Sequence, residues 1–151
     1  MTRDAFLDLI GQSFDIKSNG PAAYKPQKLH EISMYIEGTW FILRAKKGVI
    51  NDQDPIAVLD VTILYVQILN PILGIEDLRT DKRIDFVGGT RGLSELEKRV
   101  NSGEMKVAFA LYPVSMDQLI HIADTGNIMP PKVTWFEPKL RSGLVIHSLE
   151  D

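Results

Sequence analysis

Glu31-Ile-Ser-Met-Tyr-Ile-Glu-Gly-Thr-Trp-Phe-Ile-Leu-Arg-Ala45 is the stretch whose reading decides the fold. Ile32, Met34 and Ile36 alternate with Glu31, Ser33 and Tyr35, the period-two pattern of a strand. Glu37-Gly38 then turns the chain, and Thr39 to Ala45 returns rich in aromatic and branched side chains. Two such runs joined by so short a turn predict an antiparallel β-hairpin on which the remaining elements must pack.

Upstream, residues 2–12 read as a helix: Thr2 can cap it, and Phe6, Leu9 and Ile10 recur at helical spacing before Gly11. Ser18-Asn-Gly-Pro-Ala22 reads as a loop that Pro26 keeps irregular. Downstream, Lys46 to Asp54 is a polar loop. Asp54-Pro55 has the form of a helix N-cap followed by proline at the first helical position, and Ile56, Leu59, Ile63 and Val66 follow a helical stripe. Val61-Thr-Ile-Leu-Tyr-Val66 taken alone has the composition of a buried strand, so both readings stand for 56–69, with the cap favouring helix.

From Arg83 onward strands and helices alternate. Ile84-Asp-Phe-Val87 reads as a strand and Gly88-Gly-Thr-Arg-Gly92 as a loop. Leu93, Leu96 and Val100 mark a helix stopped by Asn101-Ser-Gly103, and Met105 to Leu111 is apolar enough for a central strand. Ser115 and Gln118 form a capping box, with Val114 and Leu119 placed as a hydrophobic staple, and Gly126 ends that helix. Two strands, around 133–136 and 144–149, close the chain. The unit from Arg83 to Leu111 predicts a right-handed parallel β-α-β crossover. The expected fold class is therefore α+β, in a single domain over residues 1–151. It combines a mixed β-sheet with helices mainly on one face: N-terminal helix plus hairpin, then strand-helix-strand-helix-strand-strand.

Hydrophobic content of 44% and charged content of 25% belong to an ordinary globular chain. A net charge of −3 argues against generic nucleic-acid binding, which needs a basic footprint. The absence of cysteine removes disulfides, thiol nucleophiles and thiolate zinc sites, and fits a reducing compartment. Asp4 and Asp8 interrupt the first apolar run, which is no signal peptide. The longest apolar stretch, Val61 to Leu73, is broken by Thr62, Gln67, Asn70 and Pro71 and is too short to span a bilayer. A soluble cytoplasmic protein with neither nucleic-acid nor membrane partners is expected.

Chemistry is sparse in the sequence. Gly88-Gly-Thr-Arg-Gly92 between strand and helix invites an anion: Gly88 and Gly89 allow close backbone approach, the following helix offers free N–H groups, and Arg91 adds a bidentate donor. It matches neither a dinucleotide fingerprint nor a P-loop, and a tight turn using glycine only for its geometry is the alternative. His30, His121 and His147 are scattered and read as structural. The segment Glu76-Asp-Leu-Arg-Thr-Asp-Lys-Arg-Ile-Asp85 reads as a solvated loop with local ion pairs. Met129-Pro-Pro-Lys-Val-Thr-Trp-Phe-Glu-Pro-Lys-Leu-Arg-Ser-Gly-Leu144 is locally basic and aromatic. Lys132, Thr134 and Lys139 there suit a phosphate-bearing or planar ligand; packing of Trp135 and Phe136 into a core is the alternative. No catalytic residue, metal site or cofactor is assigned.

Several of these pieces carry a resemblance. Ile84-Asp-Phe-Val-Gly-Gly89, Val107-Ala-Phe-Ala-Leu-Tyr-Pro113, Met129-Pro130 with Lys132, Thr134-Trp-Phe136, Pro138-Lys139 and Gly143-Leu144 resemble the family catalogued as "domain of unknown function 1015". Val133 stands where that family is expected to have serine, leaving Thr134 as the hydroxyl. The resemblance implies that the chain is the C-terminal domain of a longer protein. In the family an upstream Asp-Gly-His-His-Arg stretch is reminiscent of nucleotide-binding and free-serine-kinase proteins. The function expected is a non-catalytic domain supporting a site formed with that missing N-terminal part. One alternative is a phosphate- or nucleotide-contacting part of a small-molecule (serine-type) kinase; another is an interaction module that docks its own N-terminal domain or a second copy as a homodimer.

Overall fold

The computed structural model describes residues 1–130. Its elements run α1 (Arg3–Ile10), β1 (Phe14–Gly20), β2 (Glu31–Ile36), β3 (Thr39–Ala45), α2 (Asp60–Leu64), α3 (Gly92–Asn101), β4 (Val107–Leu111) and α4 (Met116–Asp124). A π-helical turn, Tyr65–Leu69, continues α2, and a 3-10 turn, Gly89–Arg91, precedes α3.

The expected hairpin is the centre of the sheet. β2 and β3 pair antiparallel with Ile36 opposite Thr39. Glu37 and Gly38 both take positive φ, 47° and 76°, the requirement of the primed turn whose twist matches the flanking strands. The sheet order is β1-β3-β2-β4, and every pairing among the described residues is antiparallel. The α+β class and the opening order of helix then strands are as expected.

Two finer expectations need correction. Ile84–Val87 is not a strand, so the parallel crossover does not form and the described sheet is not mixed. The Arg83 guanidinium donates to the Leu73 and Gly74 carbonyls, and Asp85 pairs with Arg99 on α3; side chains hold this segment in place of a ladder. Conversely, Phe14–Gly20 forms an edge strand where only the loop at its end was expected. Its signal is short, with Phe14 and Ile16 inward and polar residues after them. The strands expected at 133–136 and 144–149 lie outside the described residues.

Alternation along the strands separates two faces. Phe14, Ile32, Met34, Ile36, Phe41 and Leu43 are buried on one face, under Phe6 and Ile10 of α1 and Ile63, Leu64, Ile68 and Leu69 of α2 and its π turn. Each such side chain contributes about 1.5–3 kcal/mol of burial. Leu9, expected on the same stripe, is exposed; the buried pair on α1 is Phe6 and Ile10, one turn apart. The other face is also covered. Ser33, Tyr35, Trp40 and Ile42 are buried there, with the Trp40 indole N–H donating to Glu97 at 2.7 Å and the Tyr35 hydroxyl to Asn101 at 3.0 Å, both on α3.

Helix holds for the ambiguous 56–69 stretch, but it starts late. Asp54 Oδ1 accepts the N–H groups of Ile56 and Ala57 and closes only a turn, while α2 proper begins at Asp60. The Asn70 N–H then reaches back to Tyr65, and Pro71, lacking an N–H, cannot extend the ladder. At α4 the expected capping box is present: Ser115 Oγ accepts the Gln118 N–H at 3.2 Å, and Gln118 Oε1 accepts the Ser115 N–H at 3.1 Å. Ser115→Ala should destabilise the fold by about 1 kcal/mol. An unchanged chemical-denaturation midpoint would mean that the cap contributes nothing. Among the described residues, no helix is long and apolar enough to cross a membrane.

Candidate functional site

Of the residues singled out for an anion, Gly88, Gly89 and Arg91 are described; Lys132, Thr134 and Lys139 lie outside the described residues. Gly89–Arg91 forms the 3-10 turn, and α3 begins at Gly92 with Arg91 at its N-cap and no side-chain cap. Because 84–87 is not a strand, this turn does not stand at a strand's carboxyl end, where α/β sheets tend to place ligands. Arg91 also acts on the carboxylates of Asp85 and Glu95, helping to hold both below the ordinary range after the hydrogen bonds from Arg99. The carboxylates beside this turn thus already engage the cationic side chains that a small anion would need.

A cleft of about 420 Å³ opens beside α2, lined by Ile56, Val61, Thr62, Tyr65, Glu76, Asp77, Leu78, Arg79 and Pro130. Its size is that of small-molecule sites, and π turns such as the one on its wall often accompany function. The Tyr65 hydroxyl donates to the Glu76 carbonyl at 2.5 Å and pins the far wall to the helix. The Asp77 carboxylate accepts the Arg79 N–H at 2.8 Å, and the Arg79 guanidinium lies 3.4 Å away. These contacts, the backbone one first, hold the Asp77 carboxyl below its usual range. Apolar walls thus carry a polar rim to which Glu76, Asp77 and Arg79 belong, with the Asp77 carboxylate paired to Arg79. A second hollow lies over the α1–β1 corner; its Lys46 ammonium donates to the Gly11 carbonyl at 2.6 Å and so serves the end of α1.

Buried polar groups gather at the start of β2. Glu31, 1% exposed, accepts the Tyr24 hydroxyl at 2.7 Å, the Gln27 N–H at 3.0 Å and Arg44 Nε at 3.0 Å. Burial pushes its carboxyl up, but these three donors together outweigh that and hold it below the ordinary 4.5. On the other side Asp60 Oδ1 accepts the His30 backbone N–H at 2.9 Å and faces His30 Nδ1 at 3.0 Å. An imidazole set on a carboxylate in this way has the form of a general base. Among the described residues, no hydroxyl is hydrogen-bonded to its other nitrogen. Sequence reasoning placed His30 as structural and passed over Asp60, whose partner stands thirty positions away. The one local hint was a histidine placed directly before a strand.

No family model, curated protein or solved structure matches this chain.

Proposed function

We propose that this chain is a non-catalytic binding domain that supplies one wall of a site beside α2, completed by another polypeptide segment. The observation that carries the reading is the make-up of the cleft: apolar walls from Ile56, Val61, Leu78 and Pro130, and a rim in which Glu76 and Asp77 outnumber Arg79. Such a wall favours an apolar body bearing a cationic or hydrogen-bond-donating group. Membership of the "domain of unknown function 1015" family, with a missing N-terminal part as the completing segment, belongs to the same proposal and rests on the sequence pieces quoted above.

The phosphate-handling alternative has one feature in its favour. The N–H groups of the first turn of α3 have no side-chain cap and lie beside Arg91. The isotopically labelled chain, titrated in separate NMR experiments with apolar amines and with inorganic phosphate or ATP, discriminates between the two. Amide shifts centred on Thr62, Tyr65 and Leu78 with amines, and no turnover in a phosphotransfer and hydrolysis screen, are expected. Shifts centred on Gly89 to Gly92 with phosphate, or turnover that tracks with the pure chain, would overturn the proposal.

A further inference from the structure

His30 and Asp60 join the start of β2 to the start of α2. Asp60 is the first residue of α2 and is only 6% exposed. Both of its hydrogen bonds fall on Oδ1, from the His30 N–H and ring, while the buried Oδ2 has no hydrogen-bond partner among the described residues. His30 adopts φ 67°, the left-handed region that side chains other than glycine rarely enter. Its carbonyl accepts the Ala45 N–H at 3.1 Å, closing the end of the β2–β3 ladder. A strained backbone is thus held in place by one buried carboxylate, an arrangement that neighbouring structure must over-determine to persist.

We propose that the His30–Asp60 pair is a proton-operated clasp, in which neutralising Asp60 tightens the junction between sheet and α2 and ionising it loosens that junction. A proton on Oδ2 removes a buried charge from an oxygen that has no donor, and it leaves Oδ1 free to accept both His30 bonds. A protonated imidazole acts the other way and favours the ionised carboxylate. Among the described residues, His30 is the one charged or titratable group acting on Asp60. Glu31 is engaged with Tyr24, Gln27 and Arg44 on the opposite sheet face. On α4, which packs Ile122 against Leu59 and Val61, His121 and Asp124 are exposed.

Burial pushes the Asp60 carboxyl above its ordinary 3.8, and the His30 contacts offset this only in part. A raised folded-state value gives stability that is complete below the unfolded value and lost as pH rises through the folded one. Urea denaturation of the wild type and Asp60→Asn, at steps from about pH 4 to about pH 8, tests the clasp. Asparagine keeps the Oδ1 acceptor and cannot ionise. The wild-type midpoint should fall relative to the variant as pH rises, with the folding constant losing about tenfold per pH unit between the two carboxyl values. A difference that is flat, or a wild-type midpoint that rises relative to the variant as pH rises, overturns the proposal. A carbon-13 titration of the Asp60 carboxyl in the unaltered chain tests it without any variant. A midpoint above the ordinary 3.8 supports the clasp, and one at or below that overturns it.

Discussion

Replacing Trp40 with alanine is expected to destabilise the fold by about 4 kcal/mol. Trp40 is fully buried on the sheet face that α3 covers, its ring 5.0 Å from that of Tyr35 and its N–H bonded to Glu97. Truncation would remove the largest apolar contact beneath α3, open a cavity and leave a glutamate without its donor. A domain of this size has only about 5–15 kcal/mol in total, so the unfolded fraction should rise by roughly a thousandfold. Trp40→Phe isolates the hydrogen bond and a smaller volume loss, and should cost about half as much. Urea denaturation followed by far-ultraviolet circular dichroism measures both. A loss of less than about 2 kcal/mol in Trp40→Ala would show that α3 does not rest on this ring.

Glu31→Ala is the second large effect, at about 3 kcal/mol. Removing the carboxylate leaves the part-buried Gln27 N–H and Tyr24 hydroxyl without their acceptor, at up to about 1–3 kcal/mol for each donor that water does not reach. Arg44 is half exposed and recovers water, which keeps the sum below that of a fully buried ion pair. The same carboxyl gives the fold an acid limit. Its folded-state value is lowered, so its contribution is complete above the ordinary 4.5 and is lost as pH falls through the folded value. Asp60 has the opposite sign, and the two carboxylates therefore shape different limbs of one pH–stability curve. In Glu31→Ala the acid limb should flatten while the neutral side keeps its slope. A variant with an unchanged acid limb would show that Glu31 is not the group that titrates.

What was legible in the sequence is what local chemistry decides. The Glu37-Gly38 turn, the Thr2 cap, the stop at Asn101-Ser-Gly103 and the Ser115–Gln118 box depend on contacts a few positions apart, and each appears where the residues called for it. The alternation of β2 located the strand, yet it did not reveal that Ser33 and Tyr35 would be buried as deeply as Ile32 and Met34. That outcome belongs to α3, which comes from sixty residues downstream to cover the second face. Asp85 was drawn to Arg99 in place of a strand partner, a choice between two long-range contacts that periodicity does not rank. The cleft joins Val61 to Tyr65 with Glu76 to Arg79 because the π turn and Pro71 fold the chain back at that point. His30 and Asp60 are neighbours because α2 packs on the sheet. Caps and turns are satisfied within one or two turns of chain and can be read locally. Face coverage, register at the sheet edge and the pairing of buried charges are set by which distant surface arrives to exclude water, and tertiary packing alone decides that.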